Sequence, residues 1–268
     1  MNSRRLTIAG AVGFAVLLCG PSTALAQVAP PLGVLQQFSV MANSGVVGSA
    51  GAGTVVNGDV GSFPTDTVTN FPPSSVGAGF FVRRIAAGDL GLLTQARTDS
   101  IAAFSALNQV AGATLAAELG GQTLTSGVYD FTGGAALLSA GGVLTLNGGG
   151  IFIFRTGSTL TTINTSNVTG SANPCNVYWQ IGSSATIDSA NFFGNIFADA
   201  SITLTGNLIG RAIAGTGPTG AVTMAVGGNT IGGCASPGGP PVPALPHGMG
   251  WALLVILVGT GAYILSRR

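Results

Sequence analysis

Between Thr145 and about Ile231 one short phrase recurs: an apolar residue, a threonine, an apolar residue. It reads Leu144-Thr145-Leu146, Leu160-Thr161, Ala185-Thr186-Ile187, Ile202-Thr203-Leu204 and Val222-Thr223-Met224. The central threonines are spaced by 16, 25, 17 and 20 residues. Strand-like alternation with a period near twenty marks a solenoid, in which each unit is too short to bury its own apolar face and stacking makes the core. Alternation puts Leu146, Leu160, Ile187, Leu204 and Met224 inside.

A second set of segments does not alternate: Ile151-Phe152-Ile153-Phe154, Val177-Tyr178-Trp179-Gln180-Ile181, Asn195-Ile196-Phe197-Ala198 and Arg211-Ala212-Ile213-Ala214. Strands apolar on both sides are covered on both faces. A third set is short and bounded by Asn and Gly: Asn191-Phe192-Phe193-Gly194, Asn207-Leu208-Ile209-Gly210 and Asn229-Thr230-Ile231-Gly232. Three strands per turn, with corners at residues that tolerate positive φ, describe a triangular β-helix, all-β-dominated. Residues 36–82 read as a first, irregular part of it. From 86 to 118 the period changes. Ala86, Leu90, Leu93, Ala96, Ile101, Phe104, Leu107, Val110 and Leu115 recur at three- and four-residue steps, with Asp89 and Asp99 opposite. This predicts one long α-helix, interrupted or ended near Gly112. It packs alongside the strands around Phe152, Trp179 and Phe197, each covering the other.

The two ends are different devices. Arg4 and Arg5, the apolar run Leu6–Cys19 and Ala24-Leu25-Ala26 read as a signal peptide, residues 1–26, with the mature chain starting at Gln27. The domain then spans 27–235. Residues 236–246 are a Pro/Gly linker. Residues 247–268 hold an 18-residue uncharged stretch, Gly248–Leu265, followed by Arg267 and Arg268, bordering on a membrane span. Val242-Pro243-Ala244-Leu245-Pro246 ahead of it resembles a bacterial protein-sorting signal, with Ala244 where such motifs often have Thr. A processed tail and a permanent membrane anchor both remain open. The protein is expected to be secreted, or held at the cell surface or membrane.

Composition fits export. Charged residues make up 6% of the chain, and lysine is absent. Without the four terminal arginines, five Arg face eight acids. Such a surface excludes nucleic acid as a partner, because phosphates call for a basic stripe. Of three cysteines, Cys19 leaves with the signal peptide. Cys175 and Cys234 are an even pair in an oxidising compartment and are expected to form a disulfide, two free buried thiols being the alternative. The single histidine, His247, lies outside the domain, so a Ser-His-Asp relay is excluded and no His/Cys metal set exists. Asp130, Asp188 and Asp199 are the only acids after Glu118 and read as solvated or turn-capping. No catalytic residue, cofactor, metal or small-molecule substrate is expected, and the protein is read as a non-enzyme.

Taken in order, several stretches resemble the ice-binding-protein-like family. They are Leu119-Gly120-Gly121-Gln122-Thr123-Leu124, Gly127-Val128-Tyr129, Ile151-Phe152-Ile153-Phe154-Arg155, Asn176 to Thr186, Gly194-Asn195-Ile196-Phe197-Ala198, Gly210-Arg211-Ala212-Ile213-Ala214 and Gly220-Ala221-Val222-Thr223-Met224. The resemblance spans residues 36–235. It implies a right-handed discontinuous β-helix with a long helix alongside, and an ice surface as partner, bound through one flat β-face. The positions expected to point outward on that face are Thr145, Asn147, Thr159, Thr161, Ser184, Thr186, Ser201, Thr203, Thr205 and Thr223. Stacked Thr also occur on solenoids with other partners, so a cell-surface adhesin or matrix protein is the alternative.

Overall fold

In the computed structural model, residues 27–237 are described, apart from 111 and 226; the signal-peptide, most of the linker and the C-terminal segment expectations lie outside them. Strands dominate, with one α-helix, Leu90–Ala106. Every strand pairing is parallel, in a twelve-stranded and a seven-stranded sheet. Among the described residues no helix is long and apolar enough to cross a membrane.

The twelve-stranded sheet holds two rows of pairings, because its longer strands bend part-way. In Asn191–Ala198 the bend is at Gly194, whose φ is +126° and whose missing Cβ would come within 2.5 Å of the Trp179 indole nitrogen. Any side chain there is strained and obstructed at once. The second halves of these strands, with Val177–Ile181, form the row that is apolar on both sides. Alternation sends Phe152, Phe154, Trp179 and Ile196 to the main core, and Ile153, Tyr178, Phe197 and Ile213 to a second core under the helix. Trp179 is therefore fully buried but not beneath the helix: it stacks on Phe154 at 4.1 Å between ring centroids and tilts against Phe192 at 5.1 Å.

The helix is shorter than its periodicity predicts. Its buried face is Leu93, Ala96, Ser100 and Ala103, with Leu107 following, while Leu90, Ile101 and Val110 are exposed. Residues 113–115 are a strand, paired with Thr123–Phe131. Asp89 does not face solvent. It is buried beside Arg83, which also binds the fully buried Asp59 at 2.6 Å. Burial pushes the Asp59 carboxyl up, against the Arg83 guanidinium and the Phe81 N–H. Arg97 fastens the helix to the loop at Gly215 and Gly217, donating to both carbonyls.

Residues 36–82 do form strands, yet they do not stack on the strands that follow them in sequence. Phe38–Ala42, Gly45–Val47 and Val55–Asn57 pair with Asn207–Ala214, Ala221–Met224 and Thr230–Gly232, the last strands of the chain. Asp59–Ser62, Val68–Thr69 and Ser75–Val76 then stack on those three. The helix carries the chain back along the stack, and Ala113–Leu115 begins the opposite end. A disulfide and an arginine tie distant segments of the chain together near the last strand. Cys175 and Cys234 are disulfide-bonded, with 5.4 Å between Cα atoms. Arg211, buried, donates to Asn195 Oδ1 at 2.8 Å and to the carbonyls of Gln36 and Cys234.

Candidate functional site

The seven-stranded sheet runs Val68–Thr69, Gly45–Val47, Ala221–Met224, Ile202–Leu204, Ala185–Ile187, Leu160–Thr162, Ala136–Leu138. Each strand is short, and in Leu160–Thr162, Ala185–Ile187, Ile202–Leu204 and Ala221–Met224 a threonine between two buried residues points outward. The flanking residues Leu160, Ala185, Ile187, Ile202, Leu204, Val222 and Met224 are all buried. Their burial fixes which way the threonines between them point, because a one-residue slip would exchange the two faces.

Register then brings those threonines together. Thr161 pairs with Thr186, Thr186 with Thr203, and Thr203 with Thr223. The same file continues through Val47 to Thr69 at one end, and to Leu137 at the other. No register shift interrupts this sheet, whereas the twelve-stranded sheet has shifts at Phe38/Val40 and Asn147/Phe152. With neighbouring parallel strands about 4.7–4.9 Å apart, four hydroxyls and four methyls repeat from strand to strand in one file. Among the described residues, none of these four hydroxyls has a hydrogen-bond partner in the protein. The adjacent Thr162 is the opposite case: its buried hydroxyl accepts from the Asp188 and Ser189 N–H groups.

The other sequence-predicted positions divide. Thr159, Ser184 and Ser201 precede Leu160, Ala185 and Ile202, so they line one margin of the file. Their polar groups are partly committed: Ser184 Oγ accepts from the Ser201 N–H, and Ser201 Oγ from the Ala221 N–H. Thr205 lies at the other margin and donates to Asp188 Oδ1 at 2.6 Å. Asp188 thus caps a corner and does not break the file.

Thr145 and Asn147 are not on this sheet. Both belong to Val143–Thr156, in the twelve-stranded sheet, where Thr145 pairs with Thr123 and Thr169 and Asn147 with Thr125. The 16-residue step from Thr145 to Thr161 is a move from the twelve-stranded sheet to the seven-stranded one. The step that returns to the same row is the one from Thr145 to Thr169. This second file is short, since the next strand joins at Asn167–Asn191 and offers Phe193, largely buried, two residues on. Its asparagines are tied to one another and to backbone: Asn191 Nδ2 donates to Asn167 Oδ1, and Asn207 Nδ2 to the Ala190 carbonyl.

Three members of the main file have no counterpart in the sequence-predicted set: Val47, Thr69 and Leu137. Leu137 sits in an Ala-Leu-Leu run with no polar residue to mark its outward position. Val47 and Thr69 join through strands that stack on the far end of the chain, for which the sequence carries no local signal.

The chain has relatives of known name. A family model described as ice-binding-like matches residues 40–231. An ice-binding protein from Nostoc sp. (strain HG1) is 38% identical over 204 residues, which cover 72% of this chain and 71% of that protein. The crystal structure of an ice-binding protein from the Antarctic ascomycete Antarctomyces psychrotrophicus superposes with a TM-score of 0.65 at 34% identity, over 76% of this chain and 98% of that one. An ice-binding protein from an Antarctic biological consortium gives a TM-score of 0.63 at 31% identity, over 77% and 92%. The residues matched cover most of the described structure, both sheets and the helix between their strands, and on that ground the chain belongs to the ice-binding-like family.

Proposed function

We propose that this protein binds ice through the outward face of its seven-stranded sheet, and that the Thr161-Thr186-Thr203-Thr223 file is the centre of that face. The observation that carries the reading is the unbroken register of four threonines whose hydroxyls have no partner among the described residues. Each hydroxyl can share a hydrogen bond with a water, and each methyl limits how that water turns. One such bond gains only about 0.5–1.5 kcal/mol net. A row at a spacing close to that of oxygens on an ice surface adds many, and the cost of ordering the row was met when the protein folded. Thr159, Ser184, Ser201 and Thr205 extend the face at its margins. Adsorbed molecules force ice to grow as curved fronts between them, which lowers the local freezing point.

The fold that supports this face is read as a right-handed triangular β-helix. The all-parallel pairing, the three rows and the circuits of 17–25 residues between successive threonines of the file support that shape. The protein is read as non-enzymatic and exported, with residues 1–26 a signal peptide and 27–235 the ice-binding domain. Residues 236–246 are a linker to a C-terminal segment, 247–268, that is either processed or membrane-anchored.

The test is ice-recrystallisation inhibition by residues 27–235, beside a Thr203→Tyr variant. The expected result is that the wild type stops grain growth and that the bulky ring abolishes this with the melting temperature unchanged. A folded wild type inactive at micromolar concentration would sink ice binding in favour of the adhesin reading. Equal activity of the two proteins would move the site to another face.

A further inference from the structure

Where the helix ends, the row of strands beneath it changes character. The file of that row on the helix side runs Phe197, Gln180, Arg155, Asp130, each opposite the next across parallel strands. Phe197 is packed in the core under the helix. Gln180, Arg155 and Asp130 instead lie with Phe104, Asn108 and Phe131 around an open cavity of about 500 Å³, a size within the ~300–1,000 Å³ of small-ligand sites. Asp130 and Arg155 are the only charged residues lining it, and they pair with each other. Arg155 Nε and Nη2 each donate to one carboxylate oxygen at 2.8 Å.

Part of this set fastens the chain that follows the helix. Gln180 Nε2 donates to the Phe104 carbonyl at 2.8 Å and to Asn108 Oδ1 at 3.1 Å, and Arg155 Nη1 donates to the Gln109 carbonyl at 2.6 Å. The remaining polar atoms are not used by that fastening. Gln180 is only 6% exposed, yet its Oε1 has no hydrogen-bond partner among the described residues, and neither has the Asn108 Nδ2 donor. Arg155 uses three of its five N–H groups. A nearly buried acceptor without a partner is unfavourable unless a water or a ligand supplies the donor.

We propose that this cavity binds a pyranose ring of a neutral saccharide, as a free sugar or as a unit of a polysaccharide. With its two charges paired, the site favours a ligand without net charge. It holds donors and acceptors side by side, which suits groups that both donate and accept, as hydroxyls do. Gln180 Oε1 and the Asp130 carboxylate accept from the hydroxyls; the Asn108 amide and the spare Arg155 N–H groups donate to them. Phe104 and Phe131 form the apolar wall against which the C–H groups of the ring pack. The cavity binds and does not cleave, because glycoside hydrolysis by an acid–base pair needs two carboxyl groups and Asp130 is the only one lining it.

The experiment is saturation-transfer NMR on the exported full-length protein with glucose, galactose and mannose, beside gel retardation in dextran. Transfer from at least one sugar is expected, and none from glucuronate, whose carboxylate would meet Asp130. Gly157 also lines the cavity, and a Cβ built there meets nothing within 4 Å. Gly157→Trp should therefore keep the melting temperature and abolish the transfer. Asn108→Ala, at an exposed position, should weaken binding at least tenfold. Thr203→Tyr should bind sugar as wild type does, so that failure of ice binding and failure of this site are separable. Retardation in dextran supports a polysaccharide unit as the ligand, and transfer without retardation supports a free sugar. No transfer from any of the three sugars and no retardation would overturn the proposal. Equal transfer from glucuronate would overturn the neutral class, and unchanged binding by Gly157→Trp would overturn the assignment of this cavity.

Discussion

Thr186 and Thr203 are 17 residues apart in the chain and directly opposite each other across two parallel strands. Thr145 and Thr161 are 16 apart and lie in different sheets. This difference makes the binding face testable residue by residue. Thr186→Tyr is expected to reduce ice-recrystallisation inhibition at least about tenfold, since one mismatched contact of about 1.4 kcal/mol is already a factor of ten. Thr145→Tyr is expected to leave it unchanged. Endpoint dilution of recrystallisation inhibition, with circular dichroism to confirm folding, checks both. Loss of activity in the Thr145 variant alone would transfer the site to the second sheet.

The disulfide spans 59 residues and ties the segment before Val177–Ile181 to the end of the last strand. On the chain-entropy model a loop of that size contributes about 4 kcal/mol. The Cys175→Ser/Cys234→Ser double variant is expected to melt well below wild type, by about 2–4 °C for each kcal/mol lost. Calorimetry with and without reductant checks this: reductant should bring wild type down to the variant and leave the variant where it is.

Arg211 joins three parts of the chain that are far apart in sequence, through Asn195, Gln36 and Cys234. Burial lowers the basicity of its guanidinium to a pKa of about 10, with Tyr178 opposing the fall. Arg211→Met keeps much of the volume and strands the three acceptors, at about 1–3 kcal/mol for a buried group left unmatched. Its melting temperature should fall, and protection of the Gln36 and Cys234 region should fall further than that of the helix. Uniform loss of protection in hydrogen exchange would show that Arg211 is not a local bolt.

Glu118 supplies the pH dependence. Burial alone would raise its carboxyl; the Ser139 hydroxyl, with the Gly120, Ser139 and Leu119 N–H groups, holds it below the ordinary value. A lowered folded-state pKa means that this stabilisation is fully present above the unfolded pKa and is lost as pH falls through the folded one. The segment concerned covers the exposed edge of the seven-stranded sheet, where Leu119 donates to the Leu137 carbonyl and Leu137 to that of Ala117. Acidification through and below the usual carboxylate range should speed exchange of the Leu119 and Leu137 amides. Glu118→Gln should remove that pH dependence, and an identical profile in the variant would refute it.

Much of the strand content could be read directly, because alternation is a local signal. Leu160, Ile187, Leu204 and Met224 are buried and Thr161, Thr186, Thr203 and Thr223 outward, as period two requires. The helix was legible in type but not in extent. A stripe of apolar residues continues past Ala106 through Leu107, Val110 and Leu115, although Leu115 already belongs to the strand Ala113–Leu115. Buried Ser100 in place of exposed Ile101 is a matter of which face meets the strands, and small residues let the helix approach closely. Register across rows was not legible. Thr145 and Thr161 carry the same local phrase, and only the path of the chain around the stack separates them.

The pairing of the first strands with the last has a consequence for how the protein is made. Phe38–Ala42, Gly45–Val47 and Val55–Asn57 leave the ribosome first, yet each lies against a strand that leaves it last. Such pairings carry the highest sequence separation the chain allows, and closing them is the slow part of folding. The early strands therefore have only Asp59–Ser62, Val68–Thr69 and Ser75–Val76 to pair with until the whole domain has been synthesised. Until the last strands have been made, the contacts that close the domain are missing and its core stays open at that joint.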